Sequence, residues 1–471
     1  MPAARLEFAD ESYSLASVPE SSKRIINLFP EITPPGARSK IILRSVPGLV
    51  RDRIIGTGPI IAANDSLSVD VYLISGTHFW RIRPNEVSVP EDLGDVGTAA
   101  ISNPKVQALA SIAVGVVAAV VCVPPNAWVC AHDGPLQQIT DPAFPGASSV
   151  AYIDGYFVFT GYGSTAQFFW SSLLDAKTYS ALDFAYADSR PNIIRRVIQH
   201  RGDLWFMGES GLEAWYDAGG KDIPFLRRPG SDISYGCGSP QTVSICDNSI
   251  FFLSNRGIVF RIDGYRATRV STHAVEEWIR DYGNTLTVDA CSYTQAGHWY
   301  YCLTFTGTFP RTLVYDSATG RWHERDSGDG FWVGRSSFTR AEALFIGSRT
   351  TGELFRLDPY TPTDAGRARM FQATLPPVWA ETVRAFMSSL ELEMEPGLLP
   401  TGADVQCEVS DDGGKTYRTI SGSITSGTAG DFKHRVRWTR LGSFRQRVIR
   451  FTLGGVCALY GADADMEQGR S

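Results

Sequence analysis

The chain has 471 residues, of which 43% are hydrophobic and 20% are charged, and its formal net charge is −6. This apolar content excludes a disordered chain, and the acidic balance argues against a protein that grips DNA through a broad basic surface. At about 100–200 residues per domain, the length favours two to four domains unless one of them is a repeat array. Abundant glycine (45 residues) and an aromatic share of 11% favour β-structure with many turns.

The N-terminal part begins with MPAARLEFADESYSLAS, which has no positively charged region followed by an apolar run, so we expect no signal peptide. Two segments follow, KRIINLFPE (23–31) and ILRSVPGL (42–49), and in each a strand-like run meets a proline. Proline cannot donate to a β-ladder, so both segments are predicted to be strands that end in turns. Residues 1–40 are predicted to form an extended N-terminal arm.

A degenerate repeat occupies the centre of the chain. Each copy has a short apolar or aromatic strand, a turn rich in Gly, Asn, Asp or Ser, and a second strand that often holds an aromatic residue. Recognisable copies span residues 68–82, 109–134, 150–172, 197–220, 243–271, 291–327 and 343–359. They start about 40–50 residues apart, which is typical of four-stranded propeller blades. Residues 41–365 are therefore predicted to form a β-propeller, with seven blades preferred and six possible.

Two elements within the repeat region have patterns of their own. The longest apolar run, Leu109–Val123, has fifteen residues. A membrane-spanning helix needs roughly 20, and the Val and Ala content of this run favours two buried strands. The segment THAVEEWIRDYG (272–283) places Val275, Trp278 and Ile279 on one face of a helix. Gly283 is expected to end this helix.

After LPPVW (375–379) the pattern changes to strands with one polar face. In FMSSLELEMEPG (386–397), apolar residues alternate with glutamates, which predicts a half-buried strand with an acidic outer face. Residues 366–462 are predicted to form a separate β-sandwich-like domain, so the whole fold is expected to be all-β. Residues 463–471 are predicted to be a loose tail.

The most specific local motif in this domain is SDDGGKTY (410–417), which follows the pattern Ser-x-Asp-x-Gly-x-Thr-aromatic. It resembles the Asp-box hairpin, in which the acidic and hydroxyl side chains bind turn amides and a glycine takes a positive φ. The aromatic residue of such a hairpin packs inside. A structural hairpin is therefore predicted with the residues Ser410, Asp412, Gly414, Thr416 and Tyr417.

The segment HRVRWTRLGSFRQRVIRF (434–451) is strongly basic within an acidic chain. At strand period, its first basic residues share one face while Val436 and Trp438 share the other, and LGS (441–443) is predicted to be a turn between two strands. For the basic face, an interface with another subunit or a neighbouring protein is favoured over a solvated sheet face or direct contact with DNA. The candidate interface residues are Lys433, Arg435, Arg437, Arg440, Arg445, Arg447 and Arg450.

Motifs of enzymes and metal sites are missing from the sequence. It has no Gly-x-Ser-x-Gly, no His-Glu-x-x-His and no phosphate-binding glycine loop, and its eight cysteines include no Cys-x-x-Cys pair. We expect buried, reduced thiols, no metal and no cofactor. Glu209, Glu213 and Asp217 lie close together in sequence, but a glycosidase needs two carboxylates that face each other across a cleft. The favoured interpretation of these three is a solvated blade edge. An Arg-Gly-Asp triplet at 201–203 is interpreted as part of a hairpin turn rather than as an adhesive motif.

Several short motifs occur in an order that resembles one family. They are INLFPE (26–31), RSVPGL (44–49), GLEAWYDAGG (211–220), LVYDSATGRWHE (313–324), SLELEMEPG (389–397), SDDGGKTY (410–417) and RVRWTRLGSFRQRVIRF (435–451). The series resembles the tail hub, or nozzle, protein of short-tailed double-stranded DNA phages, also called the packaged-DNA stabilisation protein. The resemblance covers nearly the whole chain.

This resemblance implies a structural protein of the virion tail without catalytic activity or a small-molecule substrate. Six subunits would form a ring below the portal and its adaptor, continue the DNA ejection channel, and retain packaged DNA without sequence-specific binding. The ring would anchor fibres or tailspikes and be closed by a tail needle or tip protein, after synthesis and assembly in the host cytoplasm. A net charge of −6 fits such a channel, because many phosphate contacts would hold a passing duplex tightly. The alternative is a propeller glycoside hydrolase or glycan-binding module that acts on the host surface.

Overall fold

The computed structural model describes residues 4–13, 23–64, 70–83, 89–98, 110–163, 165–220, 223–283, 285–340, 343–380, 383–395, 402–421, 424–431 and 433–469. Within these ranges the chain is built almost entirely of β-strands, with one α-helix, so the predicted all-β class is confirmed. No helix of this part of the chain is long and apolar enough to cross a membrane.

Five strands come first in the chain. They are β1 (Ala4–Leu6), β2 (Ile25–Ile26), β3 (Leu28–Ile32), β4 (Ile41–Ser45) and β5 (Gly48–Ile54). Four of them pair with strands that lie much later in the sequence, and β3 pairs with β4.

The next strands form the blades of a propeller, each blade a four-stranded antiparallel sheet. Blade 1 contains β6 (Ile60–Asn64), β7 (Val71–Ser75), β8 (His78–Ile82) and β9 (Glu91–Asp95). Blade 2 contains β10 (Ser111–Val114), β11 (Ala118–Val123), β12 (Asn126–Ala131) and β13 (Leu136–Gln138). Blade 3 contains β14 (Ala147–Ile153), β15 (Tyr156–Gly161), β16 (Gln167–Ser172) and β17 (Asp175–Tyr186).

The remaining blades follow in chain order. Blade 4 contains β18 (Ile194–His200), β19 (Asp203–Gly208), β20 (Leu212–Asp217) and β21 (Phe225–Arg227). Blade 5 contains β22 (Ser244–Cys246), β23 (Ser249–Leu253), β24 (Val259–Asp263) and β25 (Arg266–Arg269). Blade 6 contains β26 (Val288–Gln295), β27 (His298–Phe305), β28 (Arg311–Asp316) and β29 (Arg321–Arg325). Blade 7 begins with β30 (Gly334–Arg340), β31 (Ala343–Ser348) and β32 (Glu353–Asp358).

Blade 7 joins the two ends of the propeller region. Its fourth strand is β5, which pairs antiparallel with β32 so that Leu49 lies opposite Leu357. A strand from the start of the propeller region thus completes the last blade and closes the ring. The preference for seven blades is confirmed in the described part of the chain.

The apolar run near residue 109 and the amphipathic segment near residue 275 both take the predicted structure. The apolar run supplies β10 and β11, whose residues are buried, while residue 109 itself lies outside the described ranges. Gly115 lies between them, where a Cβ would come within 2.4 Å of the Tyr152 ring. The helix α1 (His273–Tyr282) begins at Thr272, whose hydroxyl accepts from the Val275 amide, and it ends at Gly283 with φ +76°.

The C-terminal strands form a two-sheet sandwich and a short hairpin. The strands are β33 (Thr363–Asp364), β34 (Arg367–Ala368), β35 (Phe371–Thr374), β36 (Val378–Trp379), β37 (Ala385–Met394), β38 (Asp404–Ser410), β39 (Arg418–Thr419), β40 (Ile424–Thr425), β41 (Val436–Phe444), β42 (Gln446–Leu453) and β43 (Ala458–Gln468). One sheet has the order β3-β4-β43-β37-β41, with β1 on β43, and the other has β35-β42-β38 at its centre. Leu390, Trp438 and Phe451 are among the buried residues between the two sheets.

Both ends of the chain differ from the prediction. Residues 463–468 are not a loose tail, because they continue β43, which pairs with β37 along its length. Alanines at 462 and 464 face inward there, and their small size hid the strand alternation. The described part of the predicted arm, 1–40, is not a separate extension: β1 pairs with β43, and β3 with β4 extends the same sheet. Residues 470–471 lie outside the described ranges.

Candidate assembly interface

The basic segment forms two strands in opposite sheets rather than one hairpin. β41 pairs with β37, whereas β42 pairs with β35 and β38. The turn predicted at 441–443 is wrong, because Leu441 is a buried residue within β41. Gly442 with φ +81° belongs to a bulge opposite Met387 and Ser389, and the chain crosses between the sheets at Arg445.

β41 is an edge strand with an apolar inner face and a basic outer face. Val436 and Trp438 are buried, as the alternation predicts. Arg435 is 74% exposed and lies 3.7 Å from the Glu391 carboxylate, and Arg437 donates to the Ser389 hydroxyl at 2.9 Å. The remaining exposed cations of this edge have no ion pair with any residue that the structure describes. They are Lys433, Arg440 and Arg445.

Two of the predicted interface residues are held inside the chain. The Arg447 side chain is fully buried, and its guanidinium donates to the Asp411 carboxylate at 2.7 and 2.9 Å. Arg450 donates to Glu408 at 2.8 Å and covers the Tyr417 ring at 3.7 Å. Arg447 lies on the buried face of β42 with Ile449 and Phe451, and Arg450 lies on the opposite, half-buried face.

The SDDGGKTY segment has the hydrogen bonds of the hairpin it resembles. Ser410 donates to Asp412 at 2.6 Å, and the Gly414 amide donates to the Ser410 hydroxyl at 2.8 Å. Asp412 also accepts from the Thr416 amide and hydroxyl, at 3.0 and 2.6 Å. Hydrogen bonds from Ser410 and Thr416 hold the pKa of Asp412 well below its ordinary value. Tyr417 is half-buried beneath Arg450 instead of packing fully inside.

The acidic outer face of β37 and β43, which carries Glu391, Glu393 and Asp463, is partly neutralised by arginines of the N-terminal region. Glu393 pairs with Arg38 at 2.7 Å and also with Arg5, both of which come from the N-terminal region. Asp463 on β43 accepts from the same two arginines, at 3.4 and 3.2 Å. Of these acids only Glu391 meets the basic edge. Glu393 and Asp463 are therefore already engaged by arginines, and the β41 edge keeps a net positive charge.

A buried polar junction joins the propeller to the sandwich. β2 pairs with β29 of blade 6 on one side and with β35 of the sandwich on the other, so one continuous sheet crosses the boundary. Asn27, fully buried, donates to the carbonyls of Asp326 and Met370, each at 2.8 Å. Its side-chain oxygen accepts from the Asp326 amide at 3.0 Å. The sequence analysis did not predict this junction. The usable signal is Asn27, a polar residue inside the apolar segment IINLF, which indicates a buried hydrogen-bonding site.

Glu324 is the buried charge of this junction. It accepts from Arg24 at 3.1 and 2.6 Å, and Arg311 lies 3.3 Å away. Burial alone raises the pKa of Glu324, but the charges of Arg24 and Arg311 outweigh it and hold the pKa below its ordinary value. The carboxylate is therefore ionised at neutral pH and ties the segment around β2 to blade 6.

Two of the three carboxylates considered for glycoside hydrolysis have local partners, and the third is buried. Glu209 lies 3.2 Å from Arg195, and Asp217 accepts from the Gly219 amide at 2.7 Å. The Glu213 carboxyl is 2% exposed, not solvated as predicted, and burial raises its pKa. The described residues include no cluster of His, Cys, Asp or Glu that could hold a metal.

The Arg-Gly-Asp triplet and the cysteines are likewise structural. Asp203 of the triplet is buried and accepts from Arg228 at 2.6 Å and from the Tyr265 hydroxyl at 2.7 Å, so it cannot face a receptor. All eight cysteines are buried and unpaired. Burial raises the pKa of Cys237 and of Cys457 to about 12, which leaves both as inert thiols.

Comparisons with solved structures give several remote matches. The chain is 10% identical to the computationally designed Ika8 protein, with 66% of this chain and 99% of that chain covered and a TM-score of 0.39. It is 10% identical to the WD40 β-propeller domain of Doa1, with 66% and 96% covered and a TM-score of 0.40. For the extracellular domain of BT4673 from B. thetaiotaomicron the identity is 10%, the coverage 83% and 47%, and the TM-score 0.43. No curated protein matches the sequence.

Models of protein families match the sequence over most of its length. A model described as the β-propeller of bacteriophage P22 Gp10 matches residues 21–362, and one described as the β-sandwich of the same protein matches residues 370–467. The boundary between these two matches falls at the hairpin β33–β34, close to the predicted domain boundary at 365. The chain therefore belongs to the bacteriophage P22 Gp10 family, the structural tail hub proteins that stabilise packaged DNA.

Proposed function

We propose that this protein is the hub of a phage tail and assembles as a ring of six subunits below the portal and its adaptor. The ring would continue the DNA ejection channel, retain packaged DNA, and anchor fibres or tailspikes and a tail needle or tip protein. It would be made and assembled in the host cytoplasm. Membership in the Gp10 family supports the tail location and the structural role.

The unmatched basic edge at β41 carries the assembly part of this proposal. An edge strand presents unpaired backbone groups, and Arg435 and Arg440 add exposed guanidinium groups that suit carboxylates. Arg5 and Arg38 already engage Glu393 and Asp463, the acids nearest to this edge apart from Glu391, which supports a partner chain as the source of matching acids. A ring built by head-to-tail contacts brings such a surface of one subunit against a different surface of the next. The adaptor is the other candidate neighbour.

The continuous sheet from blade 6 through β2 into the sandwich supports a wall-building role. A propeller is a rigid disc, and the junction at Asn27 and Glu324 ties the second domain to it by buried hydrogen bonds. A subunit with two firmly joined domains can transmit contact forces from the adaptor side to the tail tip without a hinge.

Charge reversal of the basic edge tests the assembly contact. The double variant Arg435→Glu/Arg440→Glu should fold normally, because both side chains are exposed and surface substitutions usually change stability by less than about 0.5 kcal/mol. Its assembly into rings or onto adaptor-bearing particles should weaken by roughly tenfold or more at low salt, and wild-type assembly should weaken as salt rises. Sedimentation velocity and native mass spectrometry measure both effects.

The control is Arg256→Glu, which changes an exposed arginine of the propeller that has no ion pair with any described residue. This control should assemble like the wild type. Normal assembly of the double variant, or equal impairment of the control, would remove the basic edge from the contact. A glycan-binding or glycosidase function gains no support from Glu209 and Asp217, since each is engaged by a local partner. Glu213 is buried, with Arg227 at 3.9 Å.

A further inference from the structure

The propeller channel contains a polar cavity that the assembly proposal does not use. The cavity has a volume of about 230 Å³ and is lined by residues of the inner strands β6, β18, β22, β26 and β30. Its charged lining residues are Arg196, Asp289 and Arg335. The wider, more apolar part of the channel adjoins it and shares Arg196 in its wall.

Two arginines compete for one carboxylate in this cavity. Arg349 holds both oxygens of Asp289, with one nitrogen 2.7 Å from Oδ1 and the other bonded to Oδ2. Arg335 reaches the same Oδ2 only at 4.0 Å. It makes no hydrogen bond with any other residue in the described ranges. Its guanidinium therefore lines the cavity, and most of its donors are not bonded to described protein groups.

Arg196 is a second cation of the cavity wall. Its guanidinium donates to the carbonyl oxygens of Pro240 and Val243, at 2.9 and 2.7 Å, and it pairs with no carboxylate of the described chain. Burial lowers the pKa of Arg196 to about 10. Burial also lowers the pKa of Arg335, only partly offset by Asp289. Both pKa values are lower than is ordinary for arginine, which means that the protein by itself stabilises these two charges poorly.

A chain of hydroxyl groups lines the same wall. Ser337 donates to the Ser292 carbonyl, and the Ser292 hydroxyl donates to the Ser244 hydroxyl at 2.9 Å. All three serines border the cavity. The Ser244 proton can therefore point to a ligand, since its oxygen already accepts a hydrogen bond.

We propose that this cavity is a binding site for a small oxyanion of the phosphate or sulfate class, held by Arg335 and Arg196 and by the hydroxyl of Ser244. Guanidinium groups bind such oxyanions through paired, charge-assisted hydrogen bonds. A dianion would neutralise the charge of Arg196. It would also neutralise the positive charge that remains where Arg335 and Arg349 share Asp289. The volume of about 230 Å³ admits one tetrahedral anion and a few waters, at about 30 Å³ for each water.

Phosphate binding to the full chain tests this site. Calorimetric titration with sodium phosphate, against sodium chloride at the same ionic strength, should show saturable binding to the wild type and a raised melting temperature. Arg335→Gln should weaken that binding by roughly tenfold or more. Without phosphate, the same variant should be at least as stable as the wild type, because it removes a poorly compensated buried charge. Arg256→Gln, at an exposed turn, should bind like the wild type.

Two further measurements keep the proposal falsifiable. Ser244→Ala retains both arginines and should lower phosphate affinity severalfold, so it replaces Arg335→Gln if that variant does not fold. A short DNA duplex should stabilise wild type and Arg335→Gln equally, because it cannot enter the cavity. Phosphate binding no tighter than chloride binding in the wild type, affinity unchanged in Arg335→Gln and Ser244→Ala, or a duplex effect that requires Arg335 would each overturn the assignment.

Discussion

Glu324 and Arg447 are both buried, and each is held by a partner of opposite charge. Glu324 lies between Arg24 and Arg311, and Arg447 donates to both oxygens of Asp411. Taking a charge out of water is costly, and a buried pair is most sensitive to the loss of one partner. These residues therefore fix the relation between segments, whereas the exposed cations of β41 are the ones free to meet another chain.

Replacing the buried carboxylate of the junction should destabilise the protein. Glu324→Gln leaves Arg24 and Arg311 without their acid, and we expect a loss of about 3 kcal/mol in the free energy of unfolding. Glu353→Gln is the matched control, since Glu353 pairs with an exposed arginine and should cost less than about 1 kcal/mol. Urea denaturation at neutral pH measures both values. Equal losses in the two variants would show that the buried pair at the junction contributes no more to stability than an exposed pair.

The ion pairs of Glu324 also predict that the stability of the protein depends on pH. The pKa of Glu324 is lower in the folded protein than its ordinary value of 4.5, so its stabilisation is present above pH 4.5. It is lost as the pH falls from that value through the folded-state pKa. The stability gap between wild type and Glu324→Gln should therefore shrink in acid. A gap that stays constant down to the acid transition would contradict the assigned charge state.

At the scale of single elements, alternation predicted side-chain faces well and sheet partners poorly. Val436 and Trp438 point inward from β41 as expected. Nothing in the pattern indicated that β41 and β42 belong to opposite sheets, because sheet membership depends on partners far away in the sequence. β43 was missed for a related reason: its inward residues at 462 and 464 are alanines, which give a weak hydropathy signal.

The short strand β2 should couple the two domains. Asn27→Ala removes three hydrogen bonds that join the segment around β2 to Asp326 and Met370, and it leaves buried groups unpaired. We expect a loss of roughly 3 kcal/mol or more and two separate calorimetric transitions where the wild type shows one. The control is Asn192→Ala, whose hydrogen bonds to Ser210 and Gly211 stay within blade 4. It should lower stability without separating the transitions, and separation in both variants would contradict the coupling role of β2.

At the scale of the molecule, the blade period and the change of pattern after residue 375 were enough to predict a seven-bladed propeller followed by a sandwich. The closure of the ring was not predictable in the same way. It depends on Leu49 lying opposite Leu357, a pairing between segments that share no local pattern. The N-terminal region is split in a comparable way, since β1, β3 and β4 complete the sandwich while β5 completes blade 7.

Electron cryo-microscopy of the intact virion tests the tail hub most directly. The account predicts six copies of this chain around the DNA axis of the tail, directly below the adaptor, with β41 against a neighbouring chain. Density for the chain in the capsid shell, a copy number incompatible with six, or a β41 edge that faces only solvent would contradict it.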